Sequence, residues 1–291
     1  MTQPAQAIVA GRDFAVQEPG AEPSASLAAL RRRIAAIERQ PFALKSHPAA
    51  SPWNFGISTI DKHLPAQGLS ANALHEITAA AYADTPAAMG FALCLALRRL
   101  ENCEHPLLWC RLRHGNAEWG RLYGHGLLAL GLPRNRLLTV SLAKPKSLLW
   151  VLEEALRSKV LAAVIAEVQG RTLDLTRMRR LSLAAEAGST PGLLVFPHPW
   201  AGATAALSRW QVKARASIPP PFDDKAPGSP AWDLVLERCR SGSPGEWSVE
   251  WTYATHSFSV VAPVSRGTSE SHLAAGRPFP SERQGPSLRT G

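Results

Sequence analysis

Residues 86–100, PAAMGFALCLALRRL, are apolar almost all round, a pattern that predicts a helix enclosed by protein on every side rather than lying on a surface. The run NALHEIT before it reads as a short strand. Thr85-Pro86 between them supplies a helix cap followed by a proline at the first helical position. Further along, strand-length apolar runs alternate with stretches of helical period. PLLWCRL, LLTV, VLAAVIAEV (ending at Glu167) and GLLVF are the strands. Residues 122–130 and 148–156, and LTRMRRLSLAAEAG closed by Gly188, are the helices. Such alternation predicts an α/β fold: a mainly parallel sheet flanked by helices, with the functional loops at the strands' C-terminal ends. After Phe196 the period changes to two. LSRWQVKARA, AWDLVLERCR, WSVEWTYA and HSFSVVA predict antiparallel strands appended to that sheet.

The flanks are different. Residues 1–23 show no sustained period and are expected to be disordered. Residues 24–40, SASLAALRRRIAAIERQ, form an amphipathic helix pattern with Leu27, Leu30, Ile34 and Ile37 on one stripe. Residues 41–54 carry Pro41, Pro48 and Pro52 and read as an extended linker holding Phe42. The core is expected over 55–264, and 265–291, rich in Ser, Gly, Pro and Arg, is expected to be a disordered tail.

Composition adds three constraints. With 291 residues and 45% hydrophobic content, the chain can bury a sizeable core, and no apolar run reaches membrane-spanning length. The N-terminus resembles neither a signal nor a transit peptide, and the four cysteines form no C-x-x-C pair; a reduced, cytoplasmic protein with buried thiols is expected. The formal charge of +9 points to nucleic acid or an acidic protein surface, or reflects only an Arg-favouring composition.

The layout from His75 to Leu100 is that of a strand, a loop and a buried helix, the arrangement on which many proteins hold a nucleotide phosphate. Such a loop needs backbone N–H groups wrapped round the phosphates, a Lys, and a Ser or Thr for Mg²⁺. Here the loop offers Thr78 and Thr85, has no Lys and no glycine between Glu76 and Met89, and carries Asp84, which repels phosphate. Neither nucleotide, other cofactor nor metal is expected. The three His-Pro pairs show no ligand spacing, and there is no G-x-S-x-G elbow. Glu153-Glu154 beside Arg157 and Lys159 reads as a solvated face. Two basic sets remain: Arg171, Arg177, Arg179 and Arg180 after a strand end, and Arg209, Lys213 and Arg215 on one face of a strand whose other face holds Trp210, Val212 and Ala214. Each set either contacts DNA phosphates or forms a solvated or paired face.

The run FGISTIDKHLPAQGLSANALHEI resembles the entry to a RecA core, with Ser58-Thr59, Ile60-Asp61, Gly68-Leu69 and the strand from Leu74 to Ile77 as counterparts. LHEI, the missing phosphate loop, AEVQG, LVLERCRSGSPGEWSVEW and ATHSF together resemble the ImuA family of bacterial mutagenesis accessory proteins. The resemblance implies a RecA-like fold with a degenerate P-loop and a non-catalytic role in SOS-induced, error-prone translesion DNA synthesis. The implied partners are a catalytically inactive, ImuB-like Y-family polymerase homologue and an error-prone DnaE-type polymerase; RecA is a further candidate, through the 24–40 stripe. It places Arg113, or a neighbour, where RecA proteins carry their catalytic acid, and Glu167 at the Walker B-like position. The rival readings are a recombination ATPase, which requires the absent loop, and a SulA-like cell-division inhibitor. The Trp-rich strands, with Trp232, Trp247 and Trp251, and the 24–40 stripe are the candidate partner surfaces; the stripe packs either on its own core or on another RecA-like protomer.

Overall fold

A computed structural model describes residues 53–113, 119–169, 173–199, 202–220, 222–223 and 225–261. The helix expected at 24–40, with Leu27, Leu30, Ile34 and Ile37, lies outside the described residues, as do Phe42 and the tail. Nine strands form one sheet: β1 (Leu74–Ala79), β2 (Leu107–Leu112), β3 (Leu137–Leu142), β4 (Ala163–Glu167), β5 (Gly192–Phe196), β6 (Ser208–Arg215), β7 (Ala231–Cys239), β8 (Gly245–Thr252) and β9 (Ser257–Val260). Their order is β3-β2-β4-β5-β1-β6-β7-β8-β9. The first six are parallel and the last four form an antiparallel meander that starts from β6. This is the α/β arrangement expected of a RecA-like core carrying antiparallel C-terminal strands.

The helices are α1 (Ser58–Asp61), α2 (Thr85–Leu100), α3 (Gly124–Ala129), α4 (Pro145–Arg157) and α5 (Leu175–Gly188). Among the described residues no helix is long and apolar enough to cross a membrane. Side chains alternate across each strand, so each face of the sheet has its own core. Leu108, Val164 and Leu194 face α4 and α5; Trp109, Ile165, Val195, Ile77 and Trp210 face α2.

The apolar circumference of α2 has a structural cause. Phe91 meets Trp210 of β6, Trp232 of β7 and Phe258 of β9, so the meander reaches round the helix rather than extending flat. Phe55 closes another side against Phe91, and the Trp53 indole N–H donates to the Leu95 carbonyl at 3.0 Å. Asp61 fixes that incoming segment by accepting from the backbone N–H groups of Phe55 (2.9 Å) and Ile57 (3.0 Å).

Two terminations differ from the sequence expectation. A 3₁₀ turn at Tyr82–Asp84 runs directly into α2, so Asp84 is the capping position and Thr85 is already helical. At the end of α5 the left-handed residue is Ser189 (φ 49°), while Gly188 is helical. Gly188 serves packing instead: a Cβ there would overlap the Leu156 carbonyl oxygen and stand 2.8 Å from Arg157 Cα.

Candidate functional site

β1 delivers the chain to the C-terminal edge of the sheet, where the turn at Tyr82–Asp84 replaces a phosphate-binding loop. Its polar groups are turned to the protein's own backbone. The Asp84 carboxylate accepts from the N–H of Ala81 (3.1 Å) and from that of Ala214 on β6 (2.9 Å). A carboxylate thus takes donors where an anion would be cradled. Thr85 donates to the Tyr82 carbonyl at 2.6 Å, and Thr78 to the Trp210 carbonyl at 3.2 Å.

The acid at the Walker B-like position is also engaged. Glu167 is buried, and Trp109 on neighbouring β2 donates its indole N–H to Oε1 at 2.7 Å. Burial, reinforced by the Glu167 charge, pushes the Cys110 thiol up to about 12. Arg113 follows β2, exposed, and its backbone N–H bonds to the Leu142 carbonyl. Among the described residues no carboxylate stands directly at that strand end, where Arg113 takes the place of an acid.

Above this loop three aromatic rings meet. Tyr82 lies 5.0 Å from His198, nearly parallel at 21°, and 4.8 Å from Trp119. The rings come from the loops after β1, β2 and β5, so no local pattern announces them. Arg111 holds the Gly120 carbonyl beside Trp119 at 2.9 Å.

Beneath the edge are two buried polar groups that sequence reasoning left unassigned. His75 accepts at Nδ1 from Ser208 (2.8 Å) and donates from Nε2 to the Ser70 carbonyl (3.0 Å), while Trp210 donates to Ser208 at 3.1 Å. Burial holds His75 neutral, its pKa lowered to about 4. On the opposite face Glu76 is fully buried and accepts from Arg209 at 2.6 Å and from Thr204 at 2.5 Å; Arg209 also donates to the Gly202 carbonyl.

The basic candidates are therefore not one surface. Arg209 lies on the face its alternation predicts, but it is enclosed with Glu76 and cannot reach a DNA phosphate. Arg215 pairs with Asp233 at 2.8 Å, and Lys213 is exposed. Arg171 lies outside the described residues. Asp174 caps α5 by accepting from the Arg177 backbone, and Arg179 is exposed. Arg180 pairs with Glu153 at 2.8 Å, and Glu153 is buried, which corrects the solvated face read from Glu153-Glu154.

The Trp-rich strands point inward. Trp232 and Trp251 are core residues whose indole N–H groups donate to the carbonyls of Ala87 and Leu130, so they do not line a partner surface. Trp247, half-buried against His63, retains some exposure. At the opposite end of the sheet a largely apolar cleft of about 230 Å³ lies between edge strand β3 and α4, lined by Leu138, Val140, Trp150 and Val151. All four cysteines are free thiols, and the described residues hold no metal-binding cluster.

A parallel α/β core of RecA-like type, its phosphate-loop position closed on an internal carboxylate, defines the class. No family profile matches the chain. It is 34% identical over 227 residues to the protein named ImuA in two strains of Caulobacter vibrioides (NA1000 / CB15N and ATCC 19089 / CB 15), spanning 73% of this chain and 89% of each relative. The chain belongs to the ImuA family.

Proposed function

We propose that this protein is a non-catalytic accessory factor in SOS-induced, error-prone translesion DNA synthesis, working through an inactive Y-family polymerase homologue, an error-prone DnaE-type polymerase and RecA. Family membership supports a part in damage-inducible mutagenesis. The observation that supports a role without ATP is the Asp84 carboxylate seated on the Ala81 and Ala214 backbone donors, where a bound phosphate would have to displace it. Any nucleotide would meet a like charge and no lysine, so phosphate binding loses both its attraction and its cradle. The exposed edge of β3 and the cleft beside α4 offer a polymerase partner a strand edge and an apolar seat together.

Two measurements test this reading. Calorimetric titration with Mg²⁺-ATP is expected to show no binding at micromolar concentrations; saturable, Mg²⁺-dependent uptake would return the protein to the ATPase class. Co-expression with the polymerase homologue is expected to yield a complex that survives gel filtration. Two proteins eluting apart at micromolar concentration would remove the scaffold role.

A further inference from the structure

We propose that the aromatic cluster at the former phosphate edge, Tyr82, Trp119 and His198, is a stacking platform for the bases of single-stranded nucleic acid, with the basic ends of β2 and β3 holding the phosphates. This goes beyond the accessory role and does not depend on it.

The rings are not a sealed core. Tyr82 keeps 40% of its surface exposed despite two ring neighbours, Trp119 is half-buried and His198 is exposed. Three rings gathered from three separate loops and left open to solvent bury less apolar surface than the same residues turned inward. Each keeps solvent-exposed surface against which a base of any identity can stack.

The charge around the platform has the matching sign. Arg121 follows Trp119 by two residues, and Arg113, Lys144 and Lys146 are exposed at the ends of β2 and β3. β2 and β3 are in register at Leu112 and Leu142, which brings Arg113 beside the turn carrying the two lysines. Among the described residues the acids of this edge accept donors from the protein itself, Asp84 from two backbone N–H groups, Glu167 from the Trp109 indole and Asp174 from the Arg177 backbone, and the Asp84 charge keeps phosphates from the β1 end. The phosphates therefore belong at the ends of β2 and β3, where Arg113, Arg121, Lys144 and Lys146 form no ion pair among the described residues.

Spacing agrees as well. From the end of β1, where Tyr82 stands, to the end of β3 the sheet spans four strand intervals. At about 4.8 Å each this is roughly 19 Å, room for about five nucleotides at 3.4 Å rise. An ion pair with a protein partner would use the cations but would have no need of three open rings. A duplex cannot present its bases to them.

The test is fluorescence anisotropy of a labelled dT12 oligonucleotide titrated with the full chain at several salt concentrations. Micromolar binding at low salt is expected. Trp119→Ala and Tyr82→Ala should each weaken it about 5-fold or more with the thermal melt retained, whereas Trp119→Phe should keep most of it. Lys144→Glu with Lys146→Glu should weaken binding and reduce the salt slope by about 1.4. Should an alanine variant fail to fold, photo-crosslinking of a bromodeoxyuridine oligonucleotide to the unaltered protein decides the matter, with adducts expected on Tyr82, Trp119 or His198. The proposal is overturned by absence of dT12 binding, by binding indifferent to the ring substitutions, by equal and equally insensitive binding of duplex, by adducts mapping elsewhere, or by a free mononucleotide competing at the same concentration as dT12. Loss of the polymerase complex with dT12 binding intact would sink the accessory reading alone.

Discussion

Replacing Arg209 by Met would leave a carboxylate at the centre of the protein without its cation. Glu76 is fully buried, and it receives the Arg209 Nε–H at 2.6 Å and the Thr204 hydroxyl at 2.5 Å. With only the hydroxyl remaining, the charge is uncompensated in a low-dielectric site, and breaking such a pair costs about 3–5 kcal/mol. The substitution also frees the Gly202 carbonyl, which lies near the surface and can find water. For a core of this size 1 kcal/mol moves the melting temperature by about 2–4 °C, so Arg209→Met should melt roughly 6–20 °C lower. Adding Glu76→Leu removes the stranded charge. What remains is the Thr204 O–H without an acceptor, its oxygen still accepting from the Ala206 N–H, at a cost of about 1 kcal/mol, so the double variant should be more stable than Arg209→Met alone. Urea unfolding of the wild type, both single variants and the double gives the coupling energy directly. If Arg209→Met costs less than about 1 kcal/mol, or if the two losses simply add, the pair is not the enclosed unit described here. Oligonucleotide binding per folded molecule should be unchanged, because Arg209 faces Glu76 and not solvent.

Three other outcomes are expected. His75 has a folded pKa of about 4 against an ordinary 6.5, so the unfolded chain binds the extra proton between those values. Stability is therefore complete above about pH 6.5 and falls as pH drops toward 4, by roughly 3 kcal/mol for this group; urea midpoints should show that slope in the wild type and a shallower one in His75→Gln. Gly188→Ala should cost about 3 kcal/mol, since its new Cβ meets the backbone of α4, which cannot rotate aside as a side chain would; a melt within 2 °C of the wild type would contradict the packing argument. Glu167→Ala should lower stability by about 1–3 kcal/mol by stranding the Trp109 N–H, measured as a shifted urea midpoint, and an unchanged midpoint would free Glu167 from its structural role.

Local pattern reported some of this fold and was silent on the rest for definable reasons. The all-round apolar character of residues 86–100 announced an enclosed helix because burial on every side leaves no polar stripe. The period change after Phe196 announced the antiparallel strands for the same kind of reason. The alternation of β6 placed Arg209 and Trp210 on opposite faces correctly, yet it could not show that Arg209 is shut in. Its partner Glu76 lies 133 positions earlier, and only the pairing of β1 with β6 joins them. Glu153 was misjudged in the same way, because Arg180 reaches it from a helix that follows the next strand. The missing lysine and glycines of the phosphate loop were legible one by one. That Asp84 reaches Ala214, and that Tyr82 meets Trp119 and His198, depends on loops brought to one edge by a strand order no local window contains.

The enclosure of α2 by the C-terminal meander sets a timetable for the newborn chain. Trp232, which seals the helix and donates to the Ala87 carbonyl, is made 145 residues after its acceptor. At about 5–20 residues per second of synthesis, the helix waits roughly 7–30 s for that cover. During that interval a helix apolar on all sides has no complete wall, and for most of it β1 at the centre of the sheet also lacks both its neighbours, β5 and β6. Chains cut short before β7 would keep this surface open permanently. Truncations that remove the meander should accordingly accumulate as aggregate rather than as a smaller folded core, and chaperone demand in the cell should fall on the unfinished protein more than on the finished one.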